Sequence, residues 1–253
     1  MRIIVVIGGI GSGKSTVSAA FRELGAEFID LDKVGHEILL RHDVKEDLAQ
    51  AFGTDILGAD GEVVRSELAR RAFVSAETTE QLNEITQPRL IEDAKARLAA
   101  FREAGAEATV VEISPYDGPK GRFGVFTDMA TAVVAVVAPE ELRVARATAS
   151  GRFTPEDVRN RIARQASDDE RREWANYVIV NDSSVDALKK TVKIAWDKIM
   201  EKPERDQDRV SEGLRSLESA YTSQEVSSRM FVMGGGIVLA LLIILGLIVL
   251  LSQ

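Results

Sequence analysis

The chain has 253 residues and a formal net charge of −8, so it allows one α/β domain with an appendage and offers no basic excess for nucleic acid. It contains no cysteine and only two histidines, which excludes disulfides, thiolate chemistry and a histidine-built metal site. Hydrophobic residues make up 45% and charged residues 28%, as is typical of a packed globular protein.

Strand and helix patterns alternate along residues 1–200. Short apolar or β-branched runs predict strands at 3–7, 27–29, 109–113, 131–137 and 177–180. Helical patterns are predicted at 14–24, across an insertion from about 33 to 104, along a charged stretch from 139 to about 174, and at 185–200. This alternation predicts an α/β fold with a parallel sheet and helices on both faces.

A complete phosphate-binding motif joins the first predicted strand to the first helix. Residues 8–15 read GGIGSGKS and match G-x-x-x-x-G-K-[ST] in full. Glycines let successive backbone N–H groups point at phosphate oxygens, and the helix that follows adds its positive end. Lys14 can reach the β- and γ-phosphates, and the hydroxyl of Ser15 can ligate Mg²⁺. The motif therefore predicts a site for a nucleoside triphosphate and magnesium.

Two acids after the second predicted strand favour a kinase over other classes that share this motif. No N-K-x-D segment for reading guanine is present, which weighs against a GTPase. Asp30 and Asp32 come at the carboxyl end of the strand, where open α/β sheets bind ligands. A carboxylate there can orient or deprotonate an acceptor hydroxyl. We expect both to point to one side of an extended segment; the alternative is that they cap the next helix.

The C-terminal part of the chain differs sharply in composition. Residues 231–251 contain no charged residue, and about 20 apolar residues are enough for a helix to cross a bilayer. They predict a single transmembrane helix that follows a polar, charge-mixed linker at 201–230; a buried helix or hairpin is the alternative. Because ATP is cytoplasmic, we expect the N-terminal bulk of the chain to lie in the cytoplasm, anchored to the lipid bilayer.

Over about residues 2–195 the sequence resembles the dephospho-CoA kinase family. The segments that carry the resemblance are GGIGSGKSTV (8–17), FRELGA (21–26), IDLD (29–32) with His36, DGEVVR (60–65) with Leu68 and Phe73, ITQP (85–88), RIARQ (161–165) and VIVND (178–182). The resemblance implies a P-loop kinase core, a helical acceptor-side insertion and a mobile lid. It also implies transfer of phosphate from MgATP to the ribose 3′-hydroxyl of dephospho-CoA, the last step of coenzyme A biosynthesis.

The resemblance also implies roles for individual residues. Asp32 resembles the catalytic base, His36 and Arg65 resemble acceptor-binding residues, and Arg146 resembles the first lid arginine. Gln165 and Asn181 stand where the family has the residue after the lid and the adenine-side loop. The ATP phosphates are expected to contact Gly11, Ser12, Gly13, Lys14, Ser15 and Thr16, with Ser15 also holding Mg²⁺.

Three segments depart from the family pattern. EISPYDG (112–118) replaces D-x-P-L-L-x-E, Ser150 replaces the second lid arginine with Arg152 two residues later, and Gln87 replaces a histidine. Two other hypotheses therefore remain: a kinase for another nucleotide or nucleoside, and an ATP-binding membrane adaptor without catalysis. Arg143 and Arg146 are alternatively surface charges of a helix. The sequence does not predict the oligomeric state.

Overall fold

A computed structural model describes residues 1–149, 151 and 153–202, which fall within one compact unit. The predicted transmembrane helix at 231–251, almost all of the predicted linker, Ser150 and Arg152 lie outside the described residues. Within the part of the chain that the structure describes, no helix is long and apolar enough to cross a membrane.

Five strands and ten α-helices alternate through the described residues. The strands are β1 (Arg2–Gly8), β2 (Glu27–Asp30), β3 (Ala108–Glu112), β4 (Ala132–Val137) and β5 (Tyr177–Val180). The helices are α1 (Lys14–Glu23), α2 (Leu31–Ile38), α3 (His42–Phe52), α4 (Arg65–Ala72), α5 (Ala76–Glu103), α6 (Gly124–Met129), α7 (Glu140–Thr148), α8 (Pro155–Arg164), α9 (Asp168–Trp174) and α10 (Val185–Met200). A short 3₁₀ helix covers Thr54–Ile56.

The strands form one parallel sheet in the order β2-β3-β1-β4-β5, which confirms the predicted fold class. β1 lies at the centre and is almost entirely buried, because both of its faces are covered. Alternate residues of β1 enter two separate cores, with Val5 packed towards α2, α5 and α6 and Val6 packed towards α1 and α10. All carboxyl ends of the strands therefore meet at one edge, where ligands of such sheets bind.

The insertion between β2 and β3 is helical, as predicted, and has a small core of its own. Val44, Leu48 and Leu68 are buried there. Phe73, an apolar position of the same predicted insertion, instead caps the end of α4 and is 64% exposed. An exposed aromatic side chain beside a groove is thus available to contact a ligand.

Reciprocal side-chain caps fix the starts of the two helices that follow α7. Thr154 and Asp157 form a capping box at the start of α8, and Ser167 and Glu170 form one at the start of α9. The chain therefore has only a short connection, around Gln165, in which to turn from α8 into α9.

Candidate active site

The phosphate loop leaves β1 at Gly8 and enters α1 at Lys14. Gly11 has φ +70° and Gly13 has φ +94°, values that side-chain-bearing residues rarely adopt. The loop lines a cavity of about 430 Å³ together with residues of β3 and α7. The lining residues are Gly9, Gly11, Gly13, Lys14, Ser15, Thr16, Glu112, Arg146 and Ala147. Of the predicted phosphate contacts, Ser12 alone is absent from this lining; it is fully buried behind the loop.

Lys14 lies inside the loop and is only 8% exposed. Its Nζ donates hydrogen bonds to the carbonyl oxygens of Gly8, at 3.0 Å, and Gly9, at 3.3 Å. Burial lowers the pKa of Lys14, while the nearby carboxylates of Glu112 and Asp32 oppose that shift. A cation so placed is positioned to meet phosphate oxygens entering the cavity.

The two predicted acids after β2 have different roles. The expectation of an extended segment is wrong, because α2 begins directly at Leu31. Asp30 caps this helix, since its Oδ1 accepts hydrogen bonds from the backbone N–H of Asp32, at 3.0 Å, and of Lys33, at 3.3 Å. Asp32 sits in the first helical turn. Burial raises the pKa of Asp32 and repulsion from Asp30 adds to the rise, whereas Lys14 and His36 oppose it.

Glu112 brings a third carboxylate to this edge. It ends β3 in register with Asp30 on β2, and its Oε2 accepts a hydrogen bond of 2.7 Å from Ser18 Oγ on α1. Burial raises the pKa of Glu112, against the effects of Ser18 and Lys14. Lys14 therefore lies near two acids, Glu112 and Asp32, which offset part of the cost of burying its charge.

Oxygen ligands for a magnesium ion are available at the same place. Ser15 and Glu112 both line the cavity, and a hydroxyl and a carboxylate are the hard ligands that Mg²⁺ prefers. Among residues 1–149, 151 and 153–202, no group of three or more His, Asp or Glu side chains could hold a metal by itself. Magnesium in kinases is held by one or two protein ligands together with substrate phosphates and water.

Two arginines of α7, Arg143 and Arg146, differ in environment. One alternative from the sequence was that both are surface charges of a helix. That alternative is wrong for Arg143, which is 5% exposed and whose Nε donates to the carbonyl oxygen of Ile10 at 3.0 Å. Arg146 is exposed but lines the phosphate cavity, and it donates hydrogen bonds to the backbone and side-chain oxygens of Asn181, at 3.0 and 3.4 Å.

Gln165 and Asn181 contact the phosphate loop through its backbone. Gln165 Oε1 accepts a hydrogen bond of 2.9 Å from the N–H of Ile10. Asn181 is buried, and its Nδ2 donates to the carbonyl oxygen of Ser12 at 2.9 Å. Asn181 also packs so closely on Gly13 that a Cβ there would lie 2.1 Å from Nδ2. Both side chains therefore support the shape of the loop.

His36 and Arg65 meet at a second cavity, of about 260 Å³, between α2, α4 and α5. Phe73 lines this cavity and also a third one, of about 730 Å³, beneath α8. The third cavity is lined by part of the segment that departs from the family pattern and by two arginines of α8, Arg161 and Arg164. Its lining residues are Phe73, Pro115, Tyr116, Asp117, Asp157, Asn160, Arg161, Arg164, Gln165 and Ala166.

Several polar residues that pack next to the phosphate loop were not identified from the sequence. Arg171 is buried and shares the carboxylate of Asp168 with Arg143, at 2.8 and 3.5 Å. Ser18, which holds Glu112, was missed as well. Nothing in the spacing of these residues distinguishes them from ordinary charged or polar positions of amphipathic helices.

A parallel sheet whose central strand runs into this loop, with acids that end or follow the two strands on one side of it, β3 and β2, defines a P-loop kinase. A family model described as dephospho-CoA kinase matches residues 2–187. The chain belongs to the dephospho-CoA kinase family.

Individual relatives agree with this assignment. The chain is 40% identical over 199 residues to a dephospho-CoA kinase of Corynebacterium diphtheriae, a match covering 78% of this chain and 97% of the relative. It is 38% identical over 196 residues to that of Thiobacillus denitrificans, covering 76% and 92%.

Solved structures agree on the fold. A crystal structure from Thermus thermophilus superposes with a TM-score of 0.65 at 29% identity, covering 78% of this chain and 97% of the other. A dephospho-CoA kinase from Campylobacter jejuni superposes with a TM-score of 0.54 at 20% identity, covering 78% and 97%, and supports the fold alone.

Proposed function

We propose that this chain transfers the γ-phosphate of ATP to the ribose 3′-hydroxyl of dephospho-CoA, giving CoA and ADP. Its family and its named relatives support this reaction. The observation that carries the proposal is the location of Asp32 in the first turn of α2, one helical turn before His36 of the neighbouring cavity. Burial raises the pKa of Asp32, and the charges of Lys14 in the phosphate loop and of His36 both act to lower it. In this proposal Asp32 lies between the loop that binds the donor and the cavity that binds the acceptor.

The loop and its neighbours act on the donor. Backbone N–H groups of Gly11 to Thr16 and the ammonium group of Lys14 bind the triphosphate. Ser15 binds Mg²⁺, and Glu112 supports that ion from β3. Arg146, at the rim of the cavity, neutralises charge on the transferring phosphoryl group.

Asp32 acts on the acceptor. It accepts the proton of the 3′-hydroxyl as that oxygen bonds to the γ-phosphorus, while the bond between the γ-phosphorus and the oxygen of ADP breaks. Burial makes its carboxylate a stronger base than an exposed one. His36 and Arg65 hold the acceptor in the adjoining cavity, with Phe73 at the junction to the third cavity.

A coupled assay of ADP release tests the reaction. The full chain is incubated with MgATP, with and without dephospho-CoA, and with a panel of other nucleosides and nucleotides as acceptors. Turnover that depends on dephospho-CoA is the expected result. Turnover only with another acceptor would show that this acceptor, and not dephospho-CoA, is the substrate. ATP binding without transfer to any acceptor would favour the adaptor hypothesis.

We also propose that residues 231–251 anchor the kinase to a membrane, with residues 1–200 as a cytoplasmic kinase domain and 201–230 as a linker. The absence of charge over 231–251 supports the anchor. The need for ATP supports the cytoplasmic side.

A further inference from the structure

Both polar backbone atoms of one loop residue, Ile10, are held by residues that flank α8. The N–H of Ile10 donates to Gln165 Oε1 at 2.9 Å, and the carbonyl oxygen accepts from Arg143 Nε at 3.0 Å. Arg143 belongs to α7, which precedes α8, and Gln165 is the C-terminal cap of α8. The centre of the phosphate loop is therefore hydrogen-bonded both to α7 and to the C-terminal end of α8.

The contact from α7 is buried and closely packed. Arg143 is buried and shares Asp168 with Arg171. A Cβ on Gly9 would lie 2.1 Å from the guanidinium of Arg143, and one on Gly11 would lie 2.2 Å from its carbonyl oxygen. The two glycines that flank Ile10 thus allow the close approach of Arg143 to the loop, which a side chain at either position would prevent.

The contact from α8 is the less buried of the two. Gln165 is only partly buried and lies in an extended conformation directly after the last helical residue. The same helix carries Arg161 and Arg164, which line the cavity shared with Phe73 and Asp117. A change in the position of α8 would therefore alter the hydrogen bond from the loop to Gln165. It would also move the two arginines that line this cavity.

We propose that Gln165 is a positioning residue that couples the placement of α8 to the shape of the phosphate loop. Phosphate bound to the loop then favours one position of α8, and α8 in that position favours the loop that binds phosphate, because such coupling is reciprocal. The inference rests on the proposed function in taking ATP as the ligand of the loop.

Gln165→Met tests the role in turnover, because methionine keeps the length of the side chain and loses the acceptor oxygen. We expect kcat to fall about threefold to tenfold, the range for loss of one neutral hydrogen bond, with little change in KM for dephospho-CoA. Gln50→Met makes the same chemical change at an exposed position of α3 and should leave kcat unchanged. Each kcat is calculated per molecule of protein that binds an ATP analogue. Unfolded protein in the sample therefore does not lower the measured kcat.

Limited trypsin digestion of the full chain tests the coupling without any phosphoryl transfer. Cleavage after Arg161 and Arg164 is followed by mass spectrometry with and without a non-hydrolysable ATP analogue. The analogue should change these cleavage rates in the unmodified chain and in Gln50→Met, and should change them much less in Gln165→Met. An equal response in Gln165→Met, or an unchanged kcat, would overturn the proposal, while failure of the acceptor assay alone would not affect this result.

Discussion

Burial and repulsion from Asp30 both raise the pKa of Asp32. As the proposed general base it should be indispensable for transfer, yet it lies outside the loop that grips the triphosphate. Asp32→Asn is therefore expected to lower kcat by at least about 10²-fold and to leave ATP binding largely intact. Steady-state kinetics and calorimetric ATP titration measure the two effects, and turnover close to that of the unmodified chain would contradict the assignment.

The same substitution should stabilise the fold. A carboxyl whose pKa is higher in the folded protein than in the unfolded chain binds its proton more tightly when folded, so its ionised form destabilises the protein near neutral pH. Asp32→Asn should raise the melting temperature at pH 7, by about 2 to 4 °C for each kcal/mol gained in a protein of this size. The gain should shrink as the pH falls below both pKa values, and Glu84→Gln, at an exposed position of α5, should give no such gain.

Asp30 offers a test of the pH dependence. Asn caps helices as well as Asp, so Asp30→Asn keeps the start of α2 and removes only the charge that repels Asp32. The pKa of Asp32 should then fall, and the acid limb of kcat/KM should move to lower pH. A pH–rate profile of both proteins measures the shift. A limb that stays in place or moves to higher pH would show that another group controls it.

At the scale of elements, the loop depends on how closely α7 approaches it. Gly11 and Gly25 both have positive φ, at +70° and +103°, but only Gly11 faces a neighbour, the backbone of Arg143. Gly25→Ala should lose about 1–2 kcal/mol of stability and keep its ATP affinity. Gly11→Ala should lose more and weaken ATP binding by at least about tenfold, because a buried backbone contact must shift. Thermal melts and ATP titrations of the two variants compare these effects, and equal losses would contradict the packing argument.

How far the elements could be predicted depends on their local signals. The five strands and the phosphate loop were predictable because β-branched runs and a complete glycine motif are local in sequence. The start of α2 was predictable only as one of two alternatives, because the sequence does not decide between an extended segment and a helix capped by Asp30; the structure has the cap at Asp30 and Asp32 in the first helical turn. The inward direction of Arg143 was also hidden, since the spacing of a helix does not identify which charged position meets the loop.

At the scale of the whole molecule, the proposed anchor at 231–251 would determine where the enzyme lies, and the kinase domain alone would carry out catalysis. The family match ends at residue 187, inside the described unit. Residues 1–202 should therefore keep the kcat of the full chain when expressed alone, whereas only the full chain should co-sediment with phospholipid vesicles. Flotation of both proteins, with the kinase assay on each fraction, makes the comparison. Equal flotation of the two would contradict an anchor at 231–251.

The central position of β1 has a consequence for how the chain is made. β1 is synthesised first, but it pairs with Ala108 of β3 and with Ala132 of β4, which leave the ribosome much later. Until then the apolar strand and its glycine loop have no sheet to join, and the nascent chain carries an aggregation-prone segment. Nucleotide binding should accordingly arise only in nascent chains that have released β4 and the buried Arg143 just beyond it.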